Sequence, residues 1–213
     1  MKIYIAGARG VMGTRYAAIL RHLGHDVWGF DLPDFGPSHE FAAQVSAEAM
    51  ASDGIIIATP TETHVPLLRF FAYCGRPILC EKPITTKVDE LDDLVWDLVK
   101  AGARVQMVSQ YDHLVDGRSE GPTVYDYYRH GADGLAWDCI NIIYHARGRT
   151  ELREQSPTWS CVINGKVLSL GDMDRAYVEM IEQWLRDPRS DLERIIEAHR
   201  KVQVFMEGQP CAS

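Results

Sequence analysis

Short apolar runs alternate with amphipathic stretches through the first half of the chain. Ile3, Tyr4, Ile5 and Ala6 form one run and predict a buried strand. Val11, Met12, Ala17, Ala18, Ile19 and Leu20 then recur at helical spacing. Residues 25–30 read as a second strand, ending before Asp31, and a loop rich in Pro and Gly follows. Phe41, Ala42, Val45, Ala49 and Met50 predict a helix over 39–50. Residues 54–58 are apolar without interruption, as expected for a strand buried on both faces. Val65, Leu67, Leu68, Phe71 and Ala72 predict a helix that stops near Gly75, and a fourth strand is expected over 77–80. Residues 89–100 set Leu91, Leu94, Val95, Leu98 and Val99 against Asp92, Asp93 and Asp97, with Gly102 at the end as a cap. Residues 105–108 give a fifth strand. Strands and helices in strict alternation with short links predict a doubly wound parallel sheet.

Beyond Gln110 the alternation stops. Residues 111–120 read as a loop, 122–130 as a short helix or irregular aromatic segment, and 134–143 as a helix carrying Trp137 and Asp138. Asn164-Gly165 between two short apolar runs predicts a hairpin. Amphipathic helices are expected over 175–185 and 192–206, the second begun by an Asp191 cap. The expected organisation is one α/β domain over 1–109 and a small, truncated α+β domain over 110–213.

Composition narrows the function classes. A formal net charge of -8 argues against a general nucleic-acid binder, which needs a basic face for phosphates. No apolar run is long enough to span a membrane. The first strand pattern begins at residue 2, leaving no room for a leader, so a cytoplasmic location is expected. The five cysteines show neither C-x-x-C pairs nor metal-ligand spacing, so reduced buried thiols and no metal are expected.

The candidate chemistry starts directly after the first strand. Gly7, Gly10 and Gly13 fall at three-residue intervals between a strand and a helix start. In that context Gly7 permits a tight turn and Gly10 lets a pyrophosphate approach the backbone. Gly13 lets helix and strand pack closely. The free N–H groups and dipole of the helix start favour the phosphates. Residues 7–13 (Gly7, Ala8, Arg9, Gly10, Val11, Met12 and Gly13) are therefore the expected dinucleotide cradle. Asp31 lies 18 residues past Gly13, close to where an acid meets the adenosine ribose. A carboxylate there repels a 2′-phosphate, which favours NAD over NADP. Arg9 offsets that repulsion if it swings toward the adenosine end.

Two further signals share the carboxyl ends of the strands with this turn. One is Thr59-Pro60-Thr61 with His64, after the third strand. The other is Glu81-Lys82-Pro83, after the fourth. With the glycine turn, these residues resemble the glucose–fructose oxidoreductase / inositol dehydrogenase (Gfo/Idh/MocA-type) family of NAD(P)-dependent sugar and cyclitol dehydrogenases. The resemblance covers residues 1–110 and is faint afterwards. It implies a Rossmann-type domain followed by an open-faced sheet domain that holds the substrate and builds a homodimer. It also implies that Thr59, Pro60, Thr61 and His64 line the nicotinamide side, and that Glu81 orients Lys82 or meets the nicotinamide ribose. Lys82 then stands beside the reacting oxygen as polarising acid/base, aimed by a cis bond to Pro83. An unperturbed lysine titrates near ~10.4, so that role calls for burial or a nearby cation.

The family pattern of a glycine-rich helix start, an Asp and a His four residues later matches Asp138, while Ile142 occupies the His place. Asn141 and His145 are the nearest polar substitutes. Catalytic candidates are thus Lys82, Asp138 and His64. Arg147, Arg149 and Arg153 form a basic patch, and Tyr125, Tyr127, Tyr128 and Trp137 offer aromatic surfaces; solvated and packing roles, respectively, are the simpler readings of each group. Two functions stay open. One is an NAD(P)-dependent oxidoreductase acting on a small sugar-like or cyclitol-like hydroxy or keto substrate. The other is a catalytically inactive NAD(P)-binding sensor or interaction module.

Overall fold

The computed structural model describes residues 1–31, 39–85, 87, 89–114, 123–130, 137–145, 148–155, 160–163 and 166–207. The chain divides into two compact units. The first comprises Met1–Val108 and Ile181–Leu192; the second comprises Ser109–Met180 and Glu193–Ser213.

The first unit is a five-stranded parallel sheet in the order β2-β1-β3-β4-β5. Its strands are β1 (Lys2–Ala6), β2 (Asp26–Phe30), β3 (Gly54–Ile57), β4 (Ile78–Cys80) and β5 (Val105–Met107). The connecting helices are α1 (Val11–His22), α2 (His39–Met50), α3 (His64–Phe71) and α4 (Asp89–Lys100). Right-handed crossovers put α1 on one face and α2, α3 and α4 on the other. That sandwiching explains why the strands read as unbroken apolar runs: Ile3, Ile5, Ile55, Ile56, Ile57 and Ile78 are fully buried. Each such side chain contributes on the order of 1.5–3 kcal/mol relative to exposure. The expected doubly wound, Rossmann-type sheet is present. Its strand order reverses between β1 and β3, which opens a crevice beyond their carboxyl ends.

Trp184, near the end of α5 (Leu170–Arg186), belongs to this unit and is buried. A Cβ on Gly54 would come within 2.7 Å of its indole ring, so the bare backbone at the start of β3 makes room for the tryptophan.

The second unit holds a five-stranded antiparallel sheet in the order β10-β9-β8-β7-β6. Its strands are β6 (Thr123–His130), β7 (Trp137–His145), β8 (Gly148–Gln155), β9 (Ser160–Ile163) and β10 (Lys166–Leu168). Helix α6 (Leu192–Glu207) closes the described chain. The expected hairpin is present as β9 paired with β10, and the two expected helices are α5 and α6. Two other expectations are corrected. Residues 123–130 are strand, not a short helix or irregular segment, and residues 137–143 are strand, not helix. Both segments are rich in aromatic and β-branched residues, which suit a pleated surface. Each finds a hydrogen-bonding neighbour, Asn141 opposing both Tyr125 and Leu152. Glycine 134, from which the expected helix was to start, lies outside the described residues.

Candidate active site

The glycine turn is built by close backbone contact. Gly7 has φ +86, a conformation that side-chain-bearing residues rarely adopt, and a Cβ there would lie 2.6 Å from the Ala58 carbonyl oxygen. A Cβ on Gly13 would lie 1.9 Å from the Gly7 carbonyl oxygen. Gly13 is thus needed by the turn itself, more than by helix–strand packing. Gly10 N–H donates to the Gly7 carbonyl at 3.1 Å and closes the loop. Helix α1 then starts with Gly10 as its cap residue, with no side-chain hydrogen bond to the cap and no acid in the first turn. Its first N–H groups therefore face outward for an anion. Gly7 and Ala8 N–H groups both donate to the Phe30 carbonyl, at 2.8 and 3.2 Å, which ties the turn to the end of β2. There Asp31 accepts from the Arg9 backbone N–H and from the Arg9 guanidinium Nε at 2.8 Å. A glycine cradle that any Cβ would fill, an uncapped helix start and an adjacent carboxylate together fit a dinucleotide.

The turns after β3 and β4 are clamped to one another. His64 is buried, with Nδ1 2.8 Å from the Pro83 carbonyl and Nε2 2.8 Å from the Thr59 carbonyl. Both partners are backbone acceptors, so a ring N–H donates to one of them in either tautomer. Thr63 Oγ1 lies 2.7 Å from Thr59 Oγ1 and donates to the Pro60 carbonyl at 2.6 Å, which folds residues 59–63 into a tight turn. Thr59 is buried, Thr61 half-buried and Pro60 exposed.

Glu81 is buried although it carries a carboxylate. Its oxygens accept from the Tyr16 hydroxyl at 2.5 Å and from the Lys82 backbone N–H at 3.0 Å. Tyr16 sits on α1, the helix of the glycine turn, so this bond joins that helix directly to the Glu81-Lys82-Pro83 turn. The Lys82–Pro83 bond is cis and Lys82 is half-buried. The neighbouring Cys80 thiol is pushed well up by burial and then by the Glu81 charge, which keeps it inert.

Residues 7–13, Asp31, 59–64 and 81–83 therefore gather at one edge of the first unit, held by Tyr16–Glu81, His64–Pro83 and the Ala58 N–H donating to the Ala6 carbonyl. Asp138 is in the second unit, on β7, where its register partners are Arg129 and Gln155. Arg149 and Arg153 lie on β8, the tyrosines on β6, and Arg147 lies outside the described residues. Sequence reasoning did not single out Tyr16. Its one visible signal was a large aromatic three residues after the last glycine of the turn. Among the described residues no group of three His, Cys, Asp or Glu side chains is placed to hold a metal.

Residues 1–109 match the model of the Gfo/Idh/MocA family, an oxidoreductase family with an NAD-binding Rossmann fold. The chain belongs to this family. Inositol 2-dehydrogenase 4 of Saccharopolyspora erythraea is 31% identical over 121 residues, which cover 51% of this chain and 36% of that protein. The rhizopine catabolism protein MocA of Rhizobium meliloti is 49% identical over 43 residues, covering 20% of this chain and 14% of that protein. The chain thus matches about a third or less of the length of these relatives. In structure it is similar to the WlbA (WbpB) dehydrogenase of Thermus thermophilus, crystallised with NAD and alpha-ketoglutarate. That likeness has a TM-score of 0.63 at 15% identity and covers 100% of this chain and 96% of that one. The matched NAD-binding fold occupies the first half of this sequence. No described helix is long and apolar enough to cross a membrane.

Proposed function

We propose that the protein is an NAD-dependent oxidoreductase that moves a hydride between nicotinamide and a small sugar-like or cyclitol-like substrate, with Lys82 as the polarising acid/base. The observation that carries this reading is the double anchoring of the Glu81-Lys82-Pro83 turn. Tyr16 holds it to the glycine-turn helix, and His64 holds it to the turn after β3. A bound nicotinamide supplies or accepts the hydride. Lys82 donates a proton to the substrate carbonyl oxygen in reduction and takes one from the hydroxyl in oxidation. Glu81 fixes the backbone of that turn through the Lys82 N–H, and Thr59, Pro60 and Thr61 flank the same edge. Both ring nitrogens of His64 are engaged by backbone carbonyls, which favours a positioning role for it over proton transfer. Residues 1–109 bind the cofactor on this reading, while 110–213 contribute the substrate side and a homodimer contact.

Lys82→Ala tests the mechanism against a panel of polyols and keto sugars, read by nicotinamide absorbance. Turnover falls by about a hundredfold or more, and NADH binding stays within about threefold of wild type. Undiminished turnover in that variant overturns the role of Lys82.

A second reading, a dinucleotide-binding module without catalysis, is favoured by one observation. Asp138 and Ile142, matched in sequence to the Asp and His places of the family's helix-start pattern, lie on strand β7, so that pattern has no counterpart at these residues. It expects NADH binding with no substrate-dependent change of nicotinamide absorbance across the panel.

A further inference from the structure

Asp31 is engaged by Arg9 through both backbone and side chain. The Arg9 backbone N–H lies 3.2 and 3.1 Å from its two oxygens, and the Arg9 Nε donates to one of them at 2.8 Å. These donors differ in kind. The backbone N–H belongs to a turn that Gly7 and Ala8 bond to the Phe30 carbonyl, so it holds the carboxylate whatever side chain residue 9 carries. The guanidinium is on an exposed stem: the Arg9 side chain is 68% exposed, the Asp31 side chain only 15%. An ion pair open to solvent on one side is weak and exchanges readily.

The chemistry at the adenosine ribose follows from that asymmetry. A bare carboxylate accepts from the ribose hydroxyls and repels a 2′-phosphate. With the guanidinium on it, its charge is offset and one of its oxygens is already taken. When the guanidinium pivots away, it meets a 2′-phosphate with paired N–H donors while remaining beside the acid.

We propose that Arg9 is the cofactor-selecting residue: its side chain offsets the Asp31 charge and supplies the cation for a 2′-phosphate, so the site accepts NADP(H) as well as NAD(H). This rests on the reading of residues 7–13 and 31 as the adenosine end of the dinucleotide site.

Titrating the full chain with NADH and with NADPH by fluorescence tests it. Wild type binds both, with NADH tighter by less than about a hundredfold. Arg9→Ala weakens NADPH by about tenfold or more and leaves NADH within about threefold, because the backbone donor still orients Asp31. Arg9→Lys keeps part of the NADPH affinity, since a point charge remains without the paired donors. Equal weakening of both cofactors in Arg9→Ala overturns the proposal, as does a wild type that binds NADH and refuses NADPH. A wild type that binds neither overturns the dinucleotide reading itself, and this proposal with it.

Discussion

A carbonyl oxygen occupies the place where a side chain at Gly13 would go. Alanine there gains helix propensity worth about 1 kcal/mol. Its Cβ would meet the Gly7 carbonyl oxygen at 1.9 Å, and backbone cannot rotate aside as a side chain can. The clash wins, and the turn must open. Gly13→Ala is therefore expected to weaken NADH binding by more than about tenfold while α1 persists, as read by titration and far-ultraviolet circular dichroism. Tyr16→Phe probes the same helix about one turn further on. It removes one donor from a buried carboxylate, a loss of about 1–3 kcal/mol in denaturant unfolding. If Tyr16 positions the Lys82 turn, kcat falls as well, and NADH affinity changes little. Stability lost with kcat unchanged would make the bond purely structural. Glycines, Asp31 and the Glu-Lys-Pro triplet were legible because their residue types are rare at such positions. The clamp by His64 was not legible, because its partners are backbone carbonyls, one of them 19 residues away.

Helix α6 carries a titrating group of its own. His199 is buried, with Nδ1 2.7 Å from the Ile195 carbonyl. Burial lowers its pKa below the usual histidine value, with the bond to Ile195 opposing. The neutral ring is thus favoured in the fold. Its stabilising effect is complete above the ordinary value of about 6.5 and is lost as pH falls from there toward the lower folded value. The thermal unfolding temperature is expected to decline as pH falls below about 6.5, and less steeply in His199→Gln; parallel curves would remove His199 as the cause. Strands of the parallel sheet could be read from sequence because two covered faces demand unbroken apolar runs. The antiparallel strands were harder. Residues 137–145 form a short apolar stretch that suits either helix or strand. Residues 148–155 carry Arg149, Glu151, Arg153 and Glu154 and show no apolar alternation. They are a strand because β7 and β9 bond them from both sides, a tertiary effect that no local pattern records.

At the scale of the whole molecule, the nucleotide-binding unit is discontinuous in sequence. Its sheet is complete by residue 107, yet Trp184 fills the space left bare at Gly54 and is 2% exposed. Trp184→Ala is expected to cost about 3–5 kcal/mol in chemical denaturation, the range for emptying a large aromatic site. The same contact has a consequence during synthesis. Chains grow at roughly 5–20 residues per second and fold from the amino end. The parallel sheet therefore emerges from the ribosome seconds before the tryptophan that closes it. Over that interval the backbone of Gly54 and the neighbouring Ile3 side chain lack the cover that the tryptophan later gives them.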